Sequence, residues 1–188
     1  MKRALLAGAV IAASLFTSSA FGADTGVGPI VVYGRGSAQD CYVAATADRP
    51  NRNAISVCSL ALNHDFLTTE DRTATLVNRG VLLMRRSADA RALADFEAAA
   101  ALNPNFGEAQ LMRGIALVQL NRYPEAIDTL TQAIAMNPER PERAYFYRAA
   151  AYEEVGNAQA AYADYQRAAD LAPGWGPPRT ELTRFVRR

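Results

Sequence analysis

The stretch GEAQLMRGIALVQLNRYPEAIDTLTQAIAMNPER, residues 107–140, contains two apolar-periodic runs separated by a polar turn near Asn121 and closed by Pro138. Within each run the apolar residues recur at helical spacing, which predicts a pair of amphipathic helices. Gly114, Ala126 and Ala133 are small enough to let two antiparallel helices approach closely, and Leu117 and Leu130 fill the space around that contact. Pro138 stops the second helix, because it has no N–H to donate and its ring clashes with the preceding turn. The same arrangement flanks it on both sides. TATLVNRGVLLMRRSADARALADFEAAAALNPNF fills 73–106 and ERAYFYRAAAYEEVGNAQAAYADYQRAADLAPGW fills 142–175, with Pro141 the only residue between units.

Aligned by position in the 34-residue unit, small residues stand at position 8 (Gly80, Gly114, Ala149) and large ones at position 11 (Leu83, Leu117, Tyr152). Alanine fills positions 20 (Ala92, Ala126, Ala161) and 27 (Ala99, Ala133, Ala168), Phe96, Leu130 and Tyr165 fill position 24, and Pro104, Pro138 and Pro173 fill position 32. This pattern and period resemble the tetratricopeptide repeat. One such unit cannot bury its own apolar face, so neighbours must stack. The expected fold is an all-α, right-handed solenoid of antiparallel helix pairs, with units at 73–106, 107–140 and 142–175.

Two features depart from the family pattern. Position 4 holds Leu76, Gln110 and Tyr145 rather than a regular aromatic, and position 7 holds Arg79, Arg113 and Arg148 rather than leucine. Asp95 and Asp164 stand sixteen residues after the first and third arginine, facing them across the hairpin, so Arg79–Asp95 and Arg148–Asp164 ion pairs are expected. The second unit has Thr129 at that place, and Arg113 needs another partner.

The ends read as caps. Residues 35–72 fit a degenerate helix pair turned at ADRPNRN, with about four extra residues around LTTED before the next unit. GPPRTELTRFVRR, 176–188, reads as a capping helix with Leu182, Phe185 and Val186 on its apolar face and Arg179, Arg184, Arg187 and Arg188 in water. At the other end, MKR, the apolar run ALLAGAVIAASLF and TSSAFGA give the layout of a secretory signal peptide over 1–22, too short in its apolar part to span a bilayer. Residues 23–34 form an arm whose β-prone run Ile30–Tyr33 is either loosely docked or a strand for a partner.

Export, most simply to the periplasm of a Gram-negative bacterium, sets the reading of the two cysteines. Cys41 and Cys58 fall at positions 7 and 24 of the degenerate unit, facing positions of one hairpin. In an oxidising compartment a matched pair forms a disulfide, and Cys41–Cys58 is expected to be one.

Charge excludes other partners. Of the 20 Lys plus Arg, loss of Lys2 and Arg3 leaves 18 arginines against 19 acids, so nothing favours nucleic acid or an anionic membrane. His64, the one histidine, sits in the loop-like NHDF, and it and two cysteines match no metal layout. No nucleophile elbow or phosphate loop is present. No catalytic residue, metal or cofactor is expected.

The family resemblance implies a concave groove lined by the first helix of each unit at positions 2, 5, 6, 9, 12 and 13. On this sequence it selects Val77, Asn78, Val81 and Arg85; Leu111, Met112, Ile115 and Gln119; and Arg143, Phe146, Tyr147, Ala150 and Glu154. The carboxylate clamp of some family members is missing, since Val77, Leu111 and Phe146 stand at its key places. An apolar groove of this kind suits an extended apolar peptide or a partner helix. The expected function is a non-catalytic scaffold or adaptor. The alternatives are a regulatory subunit or assembly factor of a cell-envelope enzyme complex, and a self-associating structural protein. The arm or the C-terminal helix could also cover the groove within the chain.

Overall fold

The computed structural model describes residues 36–186 and, of Val186, the backbone alone. The signal peptide, its cleavage after Gly22 and the 23–34 arm lie outside the described residues, as do Arg187 and Arg188. Among the described residues there are nine α-helices and no strand: α1 (Ser37–Thr46), α2 (Ala54–His64), α3 (Thr69–Met84), α4 (Asp89–Leu102), α5 (Gly107–Gln119), α6 (Tyr123–Ala135), α7 (Pro141–Glu154), α8 (Ala158–Leu171) and α9 (Gly176–Val186). Each odd helix packs on the even one that follows it, and each even helix on the next odd one. The result is an all-α solenoid of helix pairs, closed at its end by α9.

The turns inside the three regular units share one device. Ser87, Asn121 and Gly156 all have positive φ, at 55°, 59° and 81°. Just beyond, the N–H groups of Ala88, Arg122 and Asn157 donate to the carbonyls of Leu83, Leu117 and Tyr152 at 2.8–3.0 Å. This is the Schellman closure, which satisfies carbonyls left over at a helix end. It reverses the chain within two residues, so α3–α4, α5–α6 and α7–α8 form tight hairpins.

Inside each hairpin the small residue at position 8 sets the approach. A Cβ on Gly80 would fall inside the Phe96 ring, and one on Gly114 would overlap the Leu130 side chain. Phe96, Leu130 and Tyr165 are all buried there, as are the alanines at positions 20 and 27.

The expected ion pairs are formed. Arg79 grips Asp95 with two nitrogens at 2.7 and 2.8 Å, and Arg148 grips Asp164 at 2.8 and 3.0 Å. The remaining nitrogen of each guanidinium donates to a hydroxyl on the preceding even helix, Ser59 at 3.1 Å and Thr131 at 2.9 Å. These arginines therefore tie neighbouring units together. In the second unit Arg113 reaches only Gln110, at 3.4 Å, and its buried Nε has no hydrogen-bond partner among the described residues.

Three parts differ from the sequence reading. LTTED is not a spacer: Thr68 caps α3 by accepting the Asp71 N–H at 3.1 Å, and Thr69–Arg72 form an extra first turn. Glu70 and Asp71 sit in that turn, where the helix dipole favours acids. His64 ends α2 and is not in a loop. Arg184 is not simply solvated, since its Nη2 lies 2.7 Å from Glu153 and 2.6 Å from Glu181, and it holds α9 against α7. Phe185 stacks against Tyr162 and Tyr165, and Leu182 packs on the same core.

Cys41 and Cys58 are bonded, with Cα atoms 4.6 Å apart. Both are fully buried and pack with Ala45, Ala54 and Leu82. The bond joins α1 to α2, and Leu82 brings α3 against it.

Candidate functional site

Helix geometry decides which side chains can line an inner surface. Each residue turns the helix by about 100°. Gly80 and Gly114 point at α4 and α6, so they mark the direction of the outer layer, and Ala149 holds the same place on α7. Positions 2, 6, 9 and 13 then lie about 100–160° away from that direction, on the inner face. Asn78, Met112 and Tyr147, at position 6, point almost opposite to the outer helices.

Val77, Leu111 and Phe146, at position 5, turn only about 60° from the outer layer. They are buried in the helix packing and do not line a groove. Phe146 shows this directly, with ring centroids 5.5 Å from Tyr165 and 4.9 Å from Trp175. The family register marks all six positions as inner, and here two of them, 5 and 12, turn towards the packing.

The remaining residues chosen from sequence have separate places. Val81, Ile115 and Ala150 are buried along the flank of the inner face. Arg85 donates to the carbonyls of Ala45 and Ala47, at 3.0 and 3.1 Å, and so closes the C-terminal end of α1. Gln119 is half-buried and Glu154 exposed. Partial burial, then the nearby Glu153 charge, hold the Glu154 carboxyl above its usual range. The Arg143 guanidinium lies 3.9 Å from the centre of the Trp175 ring. Trp175 was not selected from the sequence. Its position at the end of the third unit, beside α7, is the signal that could have found it.

The inner row is covered. Asn78 and Met112 have no exposed surface and Tyr147 has 2%. On α5, residues 109–112 and 114–118 are buried without interruption, on every side of the helix. Among the described residues, no cluster of three or more His, Cys, Asp or Glu could hold a metal ion. No described helix is long and apolar enough to cross a membrane. The row is made of the apolar Met112, Ile115, Val81 and Ala150 with the polar side chains of Asn78, Gln119 and Tyr147 among them.

The chain matches the tetratricopeptide repeat family model over residues 77–141 and 111–174, together more than half of its length. Hsp70-Hsp90 organizing protein 2 of Arabidopsis thaliana is 32% identical to it over 91 residues, 48% of this chain and only 16% of that protein. The crystal structure of MamA superposes with a TM-score of 0.64 at 21% identity, over 79% of this chain and 82% of that one. The second tetratricopeptide domain of human RPAP3, solved in complex with the HSP70 peptide SGPTIEEVD, gives a TM-score of 0.59 at 21% identity, over 64% of this chain and all of that one. These structures share its fold. By its repeats, its hairpin geometry and the family match, the chain belongs to the tetratricopeptide repeat family, whose domains are typically protein-interaction modules.

Proposed function

We propose that the protein is an exported, non-catalytic interaction module, a scaffold or adaptor in a cell-envelope assembly, that takes an extended protein segment along its inner face. The observation that carries this reading is the row Asn78–Met112–Tyr147, which faces away from the outer helices and yet is buried. A helix that is apolar all round must be covered all round, and α5 meets its outer neighbours on one side only. An apolar inner face with polar side chains among it suits an extended segment that buries alternate side chains there. The two similar proteins with chaperone-related names support a protein partner rather than a small substrate. Export is supported by the pattern of residues 1–22 and by the bonded pair Cys41–Cys58, which an oxidising compartment keeps intact.

The test is capture from an envelope extract on immobilised wild type, on Met112→Glu and on an outer-face control, Glu97→Lys. The reading predicts a partner held by wild type and the control, lost from Met112→Glu, and eluted by a peptide from the partner's crosslinked segment. Equal capture by all three contradicts it. Doubling of mass by light scattering with no foreign partner would assign the protein to self-association instead.

A further inference from the structure

We propose that the edge formed by the first two hairpin turns is a second docking surface, separate from the inner face, and that it takes an acidic segment of a protein partner. The residues that carry it are Arg49 and Arg52, in the loop between α1 and α2, and Arg85 and Arg86, at the end of α3.

The first support is that the fold gathers these four. In the sequence they form two pairs far apart. Arg85 donates through Nη1 to the carbonyls of Ala45 and Ala47, at 3.0 and 3.1 Å, and Arg86 through Nη2 to that of Asn51, at 3.4 Å. Ala47 and Asn51 stand on either side of Arg49, and Asn51 is next to Arg52. At most two residues of chain, about 7 Å, therefore separate the held carbonyls from the loop arginines. Pro50 fixes the backbone between them, and the Cys41–Cys58 bond closes the base of the loop. The edge is presented on a firm support.

The second support is unanswered charge. All four arginines are exposed, and among the described residues none of them has a carboxylate within 4.0 Å. The carbonyl contacts hold Arg85 and Arg86 in place and leave their charge uncompensated. Arg79, Arg122, Arg148 and Arg184, by contrast, each grip a carboxylate of this chain at 2.6–2.8 Å. Two acids, Asp48 and Asp89, share the edge with four arginines. The near-zero net charge of the whole chain thus hides a local basic excess.

The third support is what the edge lacks. Residues 47–53 and 85–89 contain no aromatic and no large aliphatic side chain. Such an edge has nothing to stack on a base and nothing to anchor in a bilayer. Arg85 and Arg86 are held at opposite ends of the loop, so the charges are spread along it and do not converge on one point. A spread row of guanidinium forks suits successive carboxylates, each of which a fork can pair with two parallel bonds.

Fluorescence anisotropy of a labelled deca-glutamate peptide tests this on the full exported chain with its disulfide intact. Low ionic strength is used, because exposed charges are then least screened. The unmodified chain is expected to bind the peptide, and so is a charge-matched control with exposed arginines of α8 and α9 reversed, Arg167→Glu/Arg179→Glu. Arg49→Glu/Arg52→Glu should bind at least about tenfold more weakly, with unchanged helical circular dichroism. Among the described residues neither loop side chain makes a hydrogen bond or ion pair, so the fold does not depend on them. Equal binding by the two variants overturns the proposal, as does no binding by the unmodified chain. Binding to phosphatidylglycerol vesicles but not to the peptide also overturns it, and assigns the edge to an anionic membrane. None of these outcomes bears on the inner face, which Met112→Glu tests by itself.

Discussion

Replacing both cysteines, Cys41→Ala/Cys58→Ala, should loosen the first hairpin and leave the rest of the array standing. The bond closes a loop with a sequence separation of 17. In the chain-entropy model, a closure of that size stabilises by about 3 kcal/mol. Little else anchors α1. Its buried side chains are only Ala38, Cys41 and Ala45, so it contributes far less apolar burial than α5. Its polar ties are the Ala38 N–H to Asp65 at 3.2 Å and the Arg85 contacts to Ala45 and Ala47. Stacked units communicate mainly with their nearest neighbours, so the loss should stay local. Native-state hydrogen exchange then predicts that amides of 37–64 lose protection by roughly 100-fold, the factor equivalent to about 3 kcal/mol. Amides of α5–α8 should change by less than about threefold. Unchanged exchange in 37–64 would refute the reasoning, and so would a uniform loss across 36–186. The first result would mean that packing alone holds the hairpin, and the second that the array melts as one unit.

Three further outcomes follow from particular contacts. Thr129→Asp should supply Arg113 with the partner its counterparts have and raise stability by about 1 kcal/mol; a lower urea midpoint would contradict this. Gly80→Ala places a methyl group against the Phe96 ring and should cost about 1–3 kcal/mol, read as a lowered melting temperature; no change would mean that the hairpin can open at no cost. Glu181 is held above the usual carboxylate range, first by burial and then by Glu153, with Arg184 opposing. Its folded-state pKa lies above the unfolded one, so its contribution is fully present at low pH and is lost as pH rises through the raised value. Docking of α9 should therefore tighten as pH falls through the raised value towards the ordinary carboxylate range, and Glu181→Gln should remove that slope in exchange measured on 176–186.

The repeat was legible because its signals are local: a small residue at one position, a proline at another, and helical spacing between them. The Arg79–Asp95 and Arg148–Asp164 pairs were legible for a related reason, since a hairpin of fixed length places residues sixteen apart face to face. What escaped was set by neighbours. Thr68–Arg72 reads as a polar spacer, and only the capping contact to Asp71 shows that it starts a helix. Arg85 fits a groove position by register, yet the end of α1 offers it two carbonyls. Val77, Leu111 and Phe146 are apolar on an odd helix and so suit a groove or the packed core equally well. The rotation of each helix about the Gly80 and Gly114 contacts decides in favour of the packing. Trp175 stands at the last place of its unit, which Phe106 and Arg140 hold in the others, so no constant residue type there marks it, and its contact with Arg143 is set by how the end of the third unit folds back on α7.

The central claim is that the inner face receives an extended segment. Photo-crosslinking from Gln119, on the inner face, against Glu97, on the outer face of α4, tests it most directly in the exported chain. The account predicts adducts from position 119 alone, to an extended apolar stretch of this chain or of one partner, with the partner adduct growing as the partner is supplied. Adducts from position 97, with none from 119, would contradict it and move the interaction to the outer surface.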